Sequence, residues 1–275
     1  MRREGGRHDA TITDSGEGSR TKVTTCAEVA AQLRAIGVRE GGVLLMHSSF
    51  RAVRPVEGGP LGLIAALQAA LGPEGTLAMP SATGDDDAPF DPATSANRED
   101  LGIVPCLFWQ QPGVVRSAHF DAVAAVGPRA EWITGGPFVL PPAAPGSAID
   151  RIREADGQIL LLGVGHDANT MLHLAELLGG APYRSAFHYT RADGVRVDYG
   201  ENDSCCEKFA LADEWLRAEG LQREGRVGKA HARLIEAEDL IRVAVPRIRA
   251  DPLVFLHDAD EGCEECDEAR ESLSR

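Results

Sequence analysis

A chain of 275 residues with 43% hydrophobic and 25% charged side chains has the composition of a folded, water-soluble protein with a substantial core. Its net charge of −14 leaves no basic stripe to neutralise phosphates, which excludes nucleic acid as a partner and favours polycations. No apolar run approaches the roughly 20 residues of a membrane span, so no membrane association is expected and the cytoplasm is the expected compartment.

Residues 1–20, MRREGGRHDATITDSGEGSR, lack the apolar centre of a secretory signal and are expected to form a disordered leader to a single domain over 21–275. TTCAEVAAQLRAIG (24–37) predicts a helix capped by Thr24 or Thr25, with Val29, Leu33 and Ile36 on one face and Gly37 at its end. GVLLMHSSF (42–50) predicts a buried strand that delivers His47, Ser48 and Ser49 to its carboxyl end. A helix, LGLIAALQAALG (61–72), and a second strand, GTLAMP (75–80), follow. Strand, helix, strand in that order implies a parallel crossover and an α/β class.

The polar stretch 81–98, with Asp85-Asp86-Asp87, is longer than a simple connection needs and is expected to be functional or disordered. Apolar pieces at 101–109 and 121–133 and a proline-rich connection at 136–147 lead to QILLLGVGHDANTMLHLAELL (158–178). This segment reads as a buried strand, a glycine turn and an amphipathic helix. His173 and Glu176, three residues apart, share a helix face, so the carboxylate would orient the imidazole as a general base. A ligand is expected at the carboxyl end of the strand. GVRVDYGEND (194–203) predicts a strand; 205–220 and 228–248 read as helices, and DPLVFLH (251–257) as a short strand.

Six cysteines do not make a disulfide scaffold in this context. Cys263 and Cys266 form a C-x-x-C, half of a structural zinc site. Cys205 and Cys206 are the first candidates to complete it; one of them with His188 or His257 is the alternative. Phosphate-loop, dinucleotide, zinc-protease and serine-hydrolase motifs are missing. The common acetyltransferase signature is approached at Gln222 to Val227 but fails at Val227.

LLMHSSFRAVRPVEGGPLGLI (44–64), LGPEGTLAMPS (71–81), PGVVRSAH (112–119) and LLLGVGHDANTMLHLAEL (160–177) together resemble the aminoglycoside 3-N-acetyltransferase family. VDYGENDSCCEKFALADEWL and DPLVFLHDADEGCEEC resemble its apramycin-acetylating branch. The resemblance implies a mixed central sheet flanked by helices, unlike the common acetyltransferase fold. A smaller lobe is expected from roughly 186–206 and 251–275. It implies direct acetyl transfer from acetyl-coenzyme A to the 3-amine of 2-deoxystreptamine antibiotics, gentamicin and apramycin included, without an acyl-enzyme. On the same basis His173 and Glu176 are catalytic, and Asp86, Glu201 and Asp203 bind the polycationic substrate. Ser48 and Ser49 are expected to contact the cofactor, with Arg116 and Ser117 in second rank. The alternative is an enzyme of the same fold that acetylates another amino-bearing biosynthetic intermediate. Two departures bear on substrate range: Ala143 stands where the apramycin branch has a histidine, and Phe120 where a proline is usual.

Overall fold

The computed structural model describes residues 22–274, and the leader expected over 1–20 lies outside them. The chain runs α1 (Cys26–Ala35), β1 (Val43–Ser48), α2 (Phe50–Val53), α3 (Gly59–Leu71), β2 (Thr76–Pro80), α4 (Ile103–Phe108), β3 (Val115–Arg116) and β4 (Val123–Val126). It continues through α5 (Ala130–Thr134), α6 (Ala148–Glu154), β5 (Gln158–Leu162), α7 (Met171–Gly179), β6 (Ser185–Thr190) and β7 (Arg196–Glu201). The last elements are α8 (Leu211–Ala218), β8 (Gln222–Val227), β9 (Ala230–Glu236), α9 (Ala237–Ala250) and α10 (Glu264–Glu271).

Seven strands form one mixed sheet in the order β3-β4-β2-β1-β5-β9-β8. β1 pairs in parallel with β2 and β5, while the outer pairings are antiparallel. Successive side chains of a strand point to opposite faces, so the continuous apolar runs require cover on both. Leu44, Met46, Leu160, Leu162 and Leu234 face α1, α3 and α4; Leu45, Ile159, Leu161 and Ile235 face α6, α7 and α9. The result is the α/β class with a mixed sheet between helical layers that the sequence predicts. Apart from this sheet, β6 and β7 form a two-stranded antiparallel hairpin.

β1 sits between two parallel neighbours reached by connections on either side. A crevice therefore opens beyond the carboxyl ends of β1 and β5, as expected at a reversal of strand order. Gly163, with φ of 72°, turns the chain out of β5 there, and its N–H still bonds the His231 carbonyl of β9 at 2.8 Å.

Two expectations fail beyond residue 220. Residues 230–236, read as the start of a helix, form β9, and 222–227 pair with them as β8. The alternation of buried Ala230, Ala232 and Leu234 with His231 and Arg233 is a strand pattern, masked by the helical period that starts at Ala237. DPLVFLH forms turns rather than a strand: Phe255 and Leu256 are buried in the core layer that holds α7 and α9.

Gly62, in the first turn of α3, permits the close approach that seats this crossover helix. A Cβ built there would lie 1.7 Å from the Glu57 carbonyl oxygen. Gly62→Ala is expected to cost about 3 kcal/mol or more, read as a lower urea midpoint.

Candidate active site

His173 stands in the first turn of α7, where the helix begins at the crevice. Its Nδ1 lies 2.9 Å from a Glu176 carboxylate oxygen, one turn further on. Glu176 is 1% exposed, and its other oxygen accepts the Tyr183 hydroxyl. This arrangement makes Nδ1–H the donor and leaves the Nε2 lone pair of His173 toward the crevice. Cys206 Sγ is 4.0 Å from that Nε2, and the edge of Phe209 packs against the ring at 5.1 Å between centroids. Burial works against charge on the ring, but Cys206 and the Glu176 carboxylate outweigh it and hold the imidazole well above its ordinary value.

Two surroundings meet at this ring. On one side lies a cleft of about 280 Å³ lined by His47, Ser48, Pro80, Asp167, Asn169, Thr170, His173 and Cys206. The Ser48 hydroxyl is buried there without a partner, a donor ready for a ligand. Ser49 sits beside it at the start of α2, its N–H on the Leu162 carbonyl at 3.0 Å. Burial and nearby His166 pull His47 down to about 4, so it is neutral, with Nε2 3.3 Å from the Thr170 hydroxyl.

On the other side is a wall of acids. Glu201, at the end of β7, is pushed up to about 7 by burial and by Asp121, against the pull of His173. Burial also raises Asp203, which feels His173 as well. The 81–98 loop leans on the hairpin: the Thr190 hydroxyl bonds the Asp86 carbonyl at 3.0 Å, and His188 meets Asp87 at 2.9 Å. Exposed Asp86 and Asp121 both act on the Tyr199 hydroxyl, which burial and Glu201 raise first. Asp86, Glu201 and Asp203 are thus gathered within electrostatic reach of one another's surroundings, a suitable lining for ammonium groups.

Arg116 and Ser117, expected as second-rank cofactor contacts, are not among the residues lining the Ser48 cleft. The Arg116 guanidinium reaches the Ser95 carbonyl at 2.7 Å, the Ser81 carbonyl at 2.6 Å and Asn97 Oδ1 at 3.2 Å. It also stacks on Phe90 and Trp109, so it fastens the 81–98 loop and does not line the Ser48 cleft. Ser117 Oγ accepts the Val123 N–H at 3.0 Å and faces a different, smaller cleft with His119, Asp121 and Pro142. His166, considered a support for the base, bonds Gln222 and Asn169 and shapes the turn before α7.

The cysteines divide differently from the first expectation. Sγ of Cys205, Cys263 and Cys266 and one ring nitrogen of His257 lie within 4.8 Å of one another. Cys206 does not join them. Its left-handed backbone, φ 59°, turns its thiol away to His173. Tyr183, Asp121 and Phe209 escaped the sequence reading because no local spacing ties them to His173.

The description "aminoglycoside 3-N-acetyltransferase" belongs to the family pattern that matches residues 45–249. The chain belongs to the aminoglycoside 3-N-acetyltransferase family. It is 59% identical over 239 residues to aminoglycoside N(3)-acetyltransferase IV of Salmonella sp, covering 86% of this chain and 92% of that protein. A histidine-to-alanine variant of AAC(3)-IVa, solved with a gentamicin, is 57% identical with a TM-score of 0.90, covering 92% of this chain and 99% of that one. The same variant with apramycin is 56% identical with a TM-score of 0.85, covering 90% and 99%. AAC-IIIb, solved with CoASH, is 26% identical with a TM-score of 0.74, covering 83% and 97%.

Replacing Arg116 by Leu would take away the donor shared by the Ser81 and Ser95 carbonyls. A loss of about 2–3 kcal/mol is expected, with faster proteolytic cleavage within 81–98.

Proposed function

We propose that this acetyltransferase carries acetyl from acetyl-coenzyme A to the 3-amine of 2-deoxystreptamine aminoglycosides, apramycin and gentamicin among them, and so confers resistance in the cytoplasm. The observation that carries this reading is the placement of His173 Nε2 between a cleft with a free buried hydroxyl and a wall of desolvated acids. Asp86, Glu201 and Asp203 would draw in the ammonium groups, and Ser48 and Ser49 would hold the cofactor. His173 takes the proton as the amine attacks the thioester carbonyl. The tetrahedral intermediate collapses to the amide, and the proton leaves on the departing thiol. No acyl-enzyme is needed. An imidazole raised toward the basicity of the amine brings the two proton affinities closer, which eases transfer. The cost is a smaller neutral fraction at a given pH.

Product, kinetic and calorimetric measurements test this. Mass spectrometry should find one acetyl group on the ring amine of apramycin and gentamicin, and a simpler amine turned over equally well would refute the substrate assignment. His173→Ala should lose about 10²–10⁴-fold in turnover with its fold intact. Because the base must be neutral, kcat/KM should rise with pH through a pKa above 6.5, and Glu176→Gln should move that limb to lower pH. Ammonium binding favours ionised Glu201, so apramycin binding near pH 6.5 should release protons from it, seen as a buffer-dependent calorimetric enthalpy. Glu201→Gln should abolish that release.

The donor set of Cys205, Cys263, Cys266 and His257 fits a structural zinc ion. Zinc at about 2.3 Å from thiolate sulfur sets ligand atoms about 3.8 Å apart. Here Cys205 and Cys266 Sγ are 3.7 Å apart, and each lies 3.4 or 3.7 Å from His257 Nδ1. Glu207 stands 3.6 Å from the opposite ring nitrogen, where it would orient the ligand. Protein purified without chelator should carry about one zinc per chain. Cys263→Ser should lose it and Cys206→Ser should keep it.

A further inference from the structure

Cys205 and Cys206 are neighbours with opposite tasks. The left-handed conformation at Cys206, which glycine adopts far more readily, sends Cys205 Sγ out to the cysteine–histidine cluster and Cys206 Sγ in to His173. The segment between Glu201 and Phe209 has little regular structure of its own. It is anchored upstream by Asn202, whose amide donates to the Ala181 and Tyr183 carbonyls at 3.1 and 3.0 Å. Downstream, buried Phe209 lies edge-on between His173, at 5.1 Å, and Phe255, at 4.8 Å. Asp203 and Cys206 stand between these anchors, and the Cys205 cluster fastens this stretch to the tail, together with the Lys208–Glu261 ion pair at 3.1 Å and the Glu207–His257 approach at 3.6 Å. The other ligands come from 257–266, so the cluster pins the chain's last segment onto the acidic wall beside the base.

We propose that the metal clip is a positioning device for substrate recognition: it holds the strained turn at 203–206 so that Asp203 and Cys206 keep their places at His173. This rests on the zinc reading above. His173 and Glu176 belong to α7, Tyr183 to the chain just after it, and Ser48 and Thr170 to the end of β1 and the start of α7; none of them is a ligand of the clip, and of the cleft's lining Cys206 is carried by the clipped turn. Loss of the metal therefore acts first on the aminoglycoside, through Asp203, and reaches acetyl-coenzyme A only through Cys206.

The test compares the full-length protein with His257→Ala and with His257→Cys, which restores four ligands as thiolates. For each, zinc content, thermal unfolding, kcat and the separate KM values for apramycin and acetyl-coenzyme A are measured. His257→Ala should lose zinc and raise the apramycin KM about tenfold, the order expected for one displaced charge-assisted contact. Its cofactor KM should stay within about twofold, a change too small to signal loss of a contact, and its kcat should fall by less than the apramycin KM rises. His257→Cys should retain zinc and restore the apramycin KM. A variant that loses zinc without a change in apramycin KM overturns the positioning role while leaving the metal site standing. So does an equal loss across kcat and both KM values. Metal-free wild-type protein removes the metal reading itself. If His257→Ala does not fold, reversible removal of zinc from wild-type protein with a thiol-competing chelator gives the same comparison, and an unaltered apramycin KM after removal refutes the proposal.

Discussion

A carboxylate taken almost wholly out of water governs the site. Glu176 is 1% exposed, and an anion there is tolerable only while both oxygens are occupied. The Tyr183 hydroxyl fills one and the His173 ring N–H the other. That requirement fixes the imidazole tautomer, its rotation and the outward direction of Nε2. It also couples the helix to the chain beyond it, because Tyr183 follows α7 and leads into the β6–β7 hairpin. The same residues that satisfy a buried charge thus aim the base and tie the acidic wall to the sheet.

The two halves of the site differ in how firmly they are built. The Ser48 cleft, where the cofactor is proposed to lie, is made from ends of β1 and β5 and the start of α7, all backed by the continuous apolar layers on both sheet faces. The acidic side, proposed for the substrate, is assembled from a hairpin, the 81–98 loop held by Arg116, and a short turn beside the cysteine–histidine cluster. Its acids are kept partly desolvated and close to like charge. Burial and Asp121 push Glu201 up to about 7, so its ionised form is disfavoured until a cation arrives. On the proposed reading a polycation would relieve that strain, and the relief would itself be selective, since a neutral sugar offers none.

How far this could be read from sequence follows the range of the interactions. Local periodicity located α1, α3 and α7 and strands β1, β2 and β5, because each carries its signal within a dozen residues. The His173–Glu176 pair was legible for the same reason, being one helical turn long. The partners that give the pair its meaning were not. Tyr183 reaches back across a turn, and Phe209 and Cys206 come from segments more than thirty residues away. The C-x-x-C announced half of the cysteine cluster, yet the choice between Cys205 and Cys206 depends on a single left-handed residue that no pattern betrays. Arg116 is a related case. A basic residue in a family motif suggests a cofactor contact, and its planar fork here satisfies backbone carbonyls of a long loop.

Phe120 and Ala143, expected to depart from the apramycin branch, fall on the acidic side of this division. Phe120 stacks on Tyr189 with centroids 4.7 Å apart and lies 5.6 Å from Tyr199, within an aromatic cluster that joins the 117–123 segment to the hairpin. Its carbonyl accepts the Thr83 N–H at 2.9 Å, so it also braces the acidic loop. Ala143 is buried beside Pro142, whose ring lines the cleft that contains Asp121. Neither residue is among the contacts described for His173, Glu176, Ser48 or Thr170. On the proposed reading, substitutions at these two positions would reshape the surroundings of the ammonium groups and leave the His173–Glu176 pair as it is, since that buried carboxylate is fastened to the other half of the molecule.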